Sequence, residues 1–223
     1  MRRTAVLALL FIWTVSGQPC SEVRVVARAA ELAKIAPDPD LQSAGKACDA
    51  TPPQSLEAFH LTPQRLYGWI DHAAMGLTGH DRFEVLPGLA KAAFLAGEID
   101  AAQSDARELL QMAPQYTRDR TYGDALFDGY SVLGRVALRH DNMTLARQYL
   151  LNAATTPGSP ALNQKGPGMA LAKELLEKQQ GPTVLRFFIL CREFWKNDNG
   201  RLAAWSDAVS KHAMPDFGAN LDY

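Results

Sequence analysis

A pattern of small and large apolar residues that recurs between residues 83 and 196 constrains the fold of this chain more than any other feature. The first copy consists of Leu86, Leu89, Ala90, Ala93, Ala102, Ala106, Leu109 and Pro114. The second consists of Tyr130, Leu133, Gly134, Ala137, Ala146, Leu150, Ala153 and Gly158, and the third of Leu171, Ala172, Leu175, Val184, Phe188 and Cys191. Apolar residues at three- and four-residue intervals indicate amphipathic helices, so each copy predicts a pair of helices.

The small residues in this pattern indicate how the two helices of each pair pack. Ala90, Gly134 and Ala172 occupy equivalent places in the first helix of each copy. Helix axes come close only where the side chains between them are small. Turns are expected at Gly97, at Asp141 with Asn142, and near Gly181. Because each hairpin leaves an apolar face that only a neighbour covers, about three units are needed for a stable stack.

The three copies resemble tetratricopeptide repeats over residues 83–196. That resemblance implies an all-α fold, with helical hairpins stacked into a right-handed α-solenoid around a binding groove. Ala90 and Gly134 are 44 residues apart, and Gly134 and Ala172 are 38 apart, against about 34 in the family. We therefore interpret the loops at 115–124 and 156–167 as insertions. Residues 155–178 also resemble segments of uncharacterised bacterial repeat-like proteins, a likeness that implies no activity.

The first 17 residues are typical of a signal peptide. Arg2 and Arg3 precede an uncharged run over residues 5–15, which is shorter than the roughly 20 apolar residues that cross a bilayer. We expect cleavage after Gly17, which leaves a net charge of -3 from 21 basic and 24 acidic residues and no membrane span. The alternatives are a buried N-terminal helix and a lipid anchor on Cys20.

Three cysteines occur in the chain, and an exported protein meets conditions in which disulfides persist. Cys20 and Cys48 flank the N-terminal segment and either form a bridge or remain free thiols, because sequence alone does not fix connectivity. Cys191 lies in a helical pattern at a small-residue position. We expect it to be buried and unreactive.

The segments that flank the hairpins are also predicted to be helical. Residues 18–82 should contain a helix over 22–35, a proline-rich loop over 37–53, and a helix that Thr62 caps and that runs to Leu77. Residues 197–223 should form a turn, a capping helix over 201–212 and a tail. We expect the large aromatic residues to fill the core: Trp69, Phe187, Phe188, Trp195 and Trp205.

Motifs of known chemistry are missing from the sequence. It has no GxSxG elbow, no phosphate-binding GxxxxGK loop, no HExxH and no CxxC, so we expect no enzyme, no catalytic residue and no cofactor. His72 and His80 are eight residues apart, which does not suit a helical metal site, and no metal is expected. The segment 195–206 lacks the first and last calcium ligands and is interpreted as a turn. A net charge of -1 argues against nucleic-acid binding.

A row of cations marks the expected binding surface. Lys91, Arg135 and Lys173 each follow the small residue of the first helix, so they should form a ladder along the groove that suits an acidic segment or a free carboxylate. Glu84 and Asp128 lie seven residues before the first two. We therefore predict a periplasmic or secreted scaffold that binds a protein or peptide, within an envelope or secretion-linked assembly.

Two alternatives to this function remain open. The first is a helical enzyme with a pocket near His72, Glu84 and Asp128, in which titratable groups would converge on one cavity. The second is a purely structural subunit that packs through its edge. The 156–167 loop either closes over a ligand or serves as a spacer between hairpins.

Export has a direct test. Expressed at its native locus with its own N-terminus, the mature protein should begin at or near Gln18, because signal peptidase cuts after small residues. Mass spectrometry of the N-terminal peptide provides the measurement. Recovery of intact protein that retains Met1 from the cytosol would contradict the prediction.

Overall fold

The computed structural model describes residues 20–36, 39–50 and 61–221, so the expected signal peptide and its cleavage site lie outside the described residues. Within these ranges the chain is all-α and has no strand, which confirms the all-α part of the predicted fold. The helices are α1 Cys20–Leu32, α2 Pro39–Ala50, α3 Pro63–Ala74, α4 Gly79–Ala96, α5 Ile99–Met112, α6 Tyr122–Arg139, α7 Met143–Ala154, α8 Pro160–Lys165, α9 Ala170–Glu177, α10 Gly181–Cys191 and α11 Arg201–Ser210. Short 3₁₀ turns occupy Ala113–Tyr116 and Gly218–Leu221.

The helices contact one another in a repeating order. Helices α1, α4, α6 and α9 touch in succession, and we call these four the front layer. Each packs against a back helix of its own, which is α3, α5, α7 and α10 respectively. The pairing of α1 with α3 adds a helix pair before the three that the sequence pattern predicts. Helix α11 packs on α10, at the position expected of a capping helix.

The turns between paired helices lie where the sequence predicts them. Gly97 ends α4 in the left-handed region, with φ of 88°, and Asp141 makes the next turn with φ of 54°. Asn142 accepts a hydrogen bond from the backbone N–H of Leu145 at 3.1 Å. The hydroxyl oxygen of Thr62 accepts one from Arg65 N–H at 3.2 Å, which confirms the predicted cap.

Two predicted loops contain helices instead. Helix α2 lies inside the 37–53 loop, and α8 lies inside the 156–167 loop. Each begins at a proline, Pro39 or Pro160, in the first turn, where a backbone N–H has no intrahelical partner to lose. Ser159 caps α8 by accepting a hydrogen bond from Leu162 N–H at 2.9 Å. The prolines therefore mark helix starts.

Several predicted helix ends need smaller corrections. Helix α1 starts at Cys20 and stops at Leu32 instead of covering 22–35, and Lys34 behind it has φ of 57°, outside helical geometry. Helix α3 ends at Ala74 instead of Leu77, and α11 ends at Ser210 instead of residue 212. Helix ends fray, so such differences of a few residues leave the packing faces unchanged.

The aromatic core lies mainly at the C-terminal end. Trp195, Trp205, Phe187 and Phe188 are buried as predicted, whereas Trp69 is half-buried. Trp205 donates its indole N–H to the Asp216 carbonyl at 2.8 Å, which ties the tail to α11. Only residues 195–200 of the predicted 195–206 turn are non-helical, because α11 begins at Arg201, and Trp195 at the start of that turn is buried in the core.

The cysteines divide into a bridge and a buried thiol. Cys20 and Cys48 form a disulfide that joins α1 to α2, so the pairing alternative holds. Cys191 is fully buried, as predicted, and burial raises the pKa of its thiol well above the usual value. A thiol that is shielded from solvent and stays protonated is unreactive, because the thiolate is the nucleophile.

Glycine allows two front helices to approach closely at Gly134. A Cβ placed there would overlap the side chain of Leu171 in α9, which is buried and cannot swing into solvent. The small residue therefore makes room for the next front helix. The closest atoms belong to α9, not to α7, which was the helix expected to approach Gly134 within the hairpin.

Replacing Gly134 by Leu should destabilise the fold by about 1–3 kcal/mol, because extra atoms must displace Leu171 from a packed core. The free energy of unfolding from urea titration is the measurement. Gly68→Leu is the matched control, because Gly68 is exposed on α3 and a Cβ added there would meet nothing within 4 Å. Equal effects of the two substitutions would contradict the packing described for Gly134.

Candidate functional site

The three cations of the predicted ladder lie on consecutive front helices, and each is in an ion pair. Lys91 Nζ on α4 is 2.7 Å from Asp128 Oδ2 on α6. Arg135 Nη2 on α6 is 2.8 Å from Glu174 Oε1 on α9. Lys173 Nζ is 3.7 Å from Glu177 Oε1 on its own helix. Two of the three ion pairs therefore connect neighbouring front helices.

The exposure of these cations differs. The Arg135 side chain is only 8% exposed, and its guanidinium lies 4.2 Å above the centre of the Phe94 ring. The Lys173 side chain is 43% exposed. An acidic partner can thus reach Lys173 directly. At Lys91 and Arg135 it has to compete with carboxylates already bound.

A cavity of about 360 Å³ opens between α1, α3 and α4, at the N-terminal end of the front layer. Its buried floor consists of aliphatic side chains: Val26, Leu66, Ile70 and Val85. Its charged lining residues are Arg24, Arg28, Glu84, Lys91 and Asp128. Lys91 and Asp128 therefore belong both to the ladder and to this cavity.

Ion pairs hold most of the charges at the cavity. Arg28 Nε is 2.7 Å from Glu84 Oε1, and its Nη1 is 2.8 Å from Glu31 Oε2. Arg24 is held more loosely, with its Nη2 3.9 Å from Asp49 Oδ1 and its side chain 64% exposed. Arg24 is consequently the cation at this cavity that an incoming anion can engage at least cost.

A partly buried carboxylate lies one helical turn from the cavity. Asp124 on α6 accepts a hydrogen bond from the Ser159 hydroxyl at 2.7 Å. The pKa of Asp124 is raised to about 6, chiefly by burial and also by the nearby charge of Asp128, while Ser159 and Lys91 act in the opposite direction. Asp124 thereby links the front layer to the start of α8.

The residues of the enzyme alternative do not all come together. Glu84 and Asp128 both line the cavity, but each is bound to a cation, Arg28 or Lys91. His72 is exposed on the last turn of α3 and does not line it. An acid–base pair needs groups within hydrogen-bond reach of one reacting atom, and these three residues do not form such a set.

The histidines are also separated from each other. His80 Nε2 pairs with Asp119 Oδ2 at 2.6 Å, whereas His72 is exposed on the last turn of α3. Within the described residues, no group of three or more histidine, cysteine or acidic side chains could hold a metal ion. In the same part of the chain, none of the helices combines the length and hydropathy needed to cross a bilayer.

The sequence pattern did not reveal the cavity. Its walls are formed by residues of α1, α3 and α4 that are far apart in sequence, for example Arg24, Leu66 and Gly88. The sequence feature that could have indicated this close approach is Gly88, which follows Pro87 inside a helical pattern. A Cβ at Gly88 would overlap Val25 of α1, so this glycine brings the two walls together.

Comparison with protein-family models, with curated proteins and with solved structures finds no match to this chain. Function therefore has to be inferred from the side chains and their surroundings.

The raised pKa of Asp124 predicts a pH dependence of stability. Between about pH 4 and pH 6 the Asp124 carboxyl is protonated in the folded state but ionised in the unfolded chain. The free energy of unfolding of wild type therefore falls as pH rises through that window. Asn cannot ionise and still accepts from Ser159. Relative to wild type, Asp124→Asn should gain about 1–2 kcal/mol of stability between pH 4 and pH 7, allowing for partial solvent screening.

Urea unfolding at the two pH values measures this gain, and circular dichroism at each pH checks that helix content is unchanged. A stability difference between variant and wild type that is the same at both pH values would contradict the assignment.

Proposed function

We propose that the mature chain is an exported scaffold that binds a protein or peptide along the front layer, with the helix pairs arranged as a tetratricopeptide-like stack. The observation that carries the proposal is the placement of Lys91, Arg135 and Lys173 on consecutive front helices. In such a stack these helices line the groove. Equivalent positions then form a row that an extended partner can follow.

The ion pairs support recognition of a partner that carries its own carboxylates. Lys91–Asp128 and Arg135–Glu174 fix charged groups in register across α4, α6 and α9. Fixed charges lower the entropy cost of binding, because the side chains are ordered in advance. A partner carboxylate that replaces Asp128 at Lys91 finds its cation already in place. Charge complementarity of this kind determines orientation and association rate more than affinity.

The disulfide supports an oxidising location. The Cys20–Cys48 disulfide links α1 to α2. Such bonds persist mainly in periplasmic or extracellular proteins. Together with the signal-peptide pattern, it supports a periplasmic or secreted protein. An envelope or secretion-linked assembly is the setting we propose.

Charge reversal at Lys91 and Lys173, whose side chains are more exposed than that of Arg135, tests the surface. Arg135 is left intact, because a glutamate there would lie beside Glu174 in a nearly buried site. The double substitution Lys91→Glu and Lys173→Glu should weaken binding of the partner captured from the native envelope by about three- to tenfold at low salt. The salt dependence of the dissociation constant should fall as well.

Lys211→Glu is the matched control. Lys211 pairs with Asp207 four residues earlier on α11, as Lys173 pairs with Glu177 on α9, but it lies outside the front layer. Its reversal should leave affinity unchanged. Unaltered affinity and salt dependence in the folded double variant would contradict binding through the front layer.

A further inference from the structure

The cavity between α1, α3 and α4 has walls of one chemical type. Every uncharged residue found in its lining is aliphatic, proline or glycine, among them Leu66, Ile70, Val85 and Ala92. Among the residues that the structure describes, none places an aromatic ring or a neutral hydrogen-bonding side chain in this lining. Sugars and nucleotides need such groups for stacking and for hydrogen bonds, so this lining disfavours them.

The volume of the cavity suits a small molecule. At about 360 Å³ it lies near the lower end of the range of ligand pockets, roughly 300–1,000 Å³. Its floor is apolar and little exposed, because Leu66, Ile70 and Val85 are at most 4% exposed. A ligand that fills it has to bring an aliphatic body of limited length.

The charges that line the cavity favour an anionic head group. Three cations and two carboxylates line it, and both carboxylates are bound to cations at 2.7 Å. Among the described residues, the carboxylate paired with Arg24 is that of Asp49, whose Oδ1 lies 3.9 Å from Arg24 Nη2, beyond hydrogen-bond distance. A carboxylate on the ligand can therefore bind the Arg24 guanidinium in place of this long contact to Asp49, while the Arg28–Glu84 and Lys91–Asp128 pairs stay intact.

We propose that this cavity binds an aliphatic monocarboxylate of medium chain length, with the chain on the apolar floor and the carboxylate at Arg24. This is a small-molecule site in addition to the partner surface of the front layer, and it does not depend on that surface. The head group and the chain make separate contributions, because Arg24 is on the exposed side of the cavity and Leu66 and Ile70 are on its floor. Each contribution can be tested alone.

Isothermal titration calorimetry of the mature protein with the saturated series from hexanoate to dodecanoate tests the chain contribution. Each methylene that enters the cavity should tighten the dissociation constant by about fourfold, until the cavity is full. Peptides that end in a free C-terminal leucine form a parallel arm. Binding of those peptides without binding of any free carboxylate would overturn the proposal, as would a series with no dependence on chain length.

Arg24→Gln tests the head group. It should weaken binding of decanoate by about three- to tenfold and leave binding of decanol unchanged, because the alcohol has no charge to lose. Arg107→Gln is the matched control, since Arg107 is exposed on α5 and does not line the cavity. Equal losses for decanoate and decanol, or equal effects of the two arginine substitutions, would overturn the assignment.

Ala92→Phe tests the position of the site independently of charge. Ala92 is half-buried on the α4 wall, and a phenyl ring there should fill the cavity and abolish binding of both decanoate and decanol. Circular dichroism and the midpoint of thermal unfolding confirm that the variant is folded. Undiminished binding in the folded variant would place the ligand elsewhere and overturn the proposal.

Discussion

The front layer depends on close approach between helices at two glycines. Gly88 lets α4 meet Val25 of α1, and Gly134 lets α6 meet Leu171 of α9, because a Cβ at either position would overlap the facing side chain. With larger residues the helices would separate by the width of a side chain. The approach at Gly88 brings the α1 and α4 walls of the cavity together, and the approach at Gly134 joins the same two helices as the Arg135–Glu174 ion pair.

Ion pairs also connect neighbouring front helices. Lys91–Asp128 and Arg135–Glu174 connect α4 to α6 and α6 to α9. The free-energy cost of desolvating two charged groups offsets much of their electrostatic attraction, so such pairs are weak evidence for stability. Their contribution here is register, because each one aligns a front helix with the next. The same groups are the ones that we propose a partner meets.

Much of the fold was predictable from the sequence, because local signals agreed with packing. The turns at Gly97 and Asn142 and the cap at Thr62 follow from short-range backbone chemistry. Helices α2 and α8 were missed because a proline that starts a helix looks the same in sequence as one that ends it. The Cys20–Cys48 bridge, which ties α2 to α1, was one of two alternatives that the sequence left open.

The candidate site was less predictable than the fold. The ladder positions follow from the repeat pattern, but their partners do not, since Asp128 and Glu174 come from other helices at distances of 37 and 39 residues in sequence. The cavity was invisible for the same reason. Arg24, Leu66 and Gly88 belong to three helices, and only the packing of α1 against α3 and α4 brings them together.

Binding of a partner along the front layer is the central claim, and hydrogen exchange tests it most directly. Amide exchange of the mature protein is measured by mass spectrometry with and without the partner captured from the native envelope. Protection should concentrate in α1, α4, α6 and α9, because those helices would lie under the partner. Protection concentrated in the back helices α3, α5, α7 and α10, with the front layer unchanged, would contradict it.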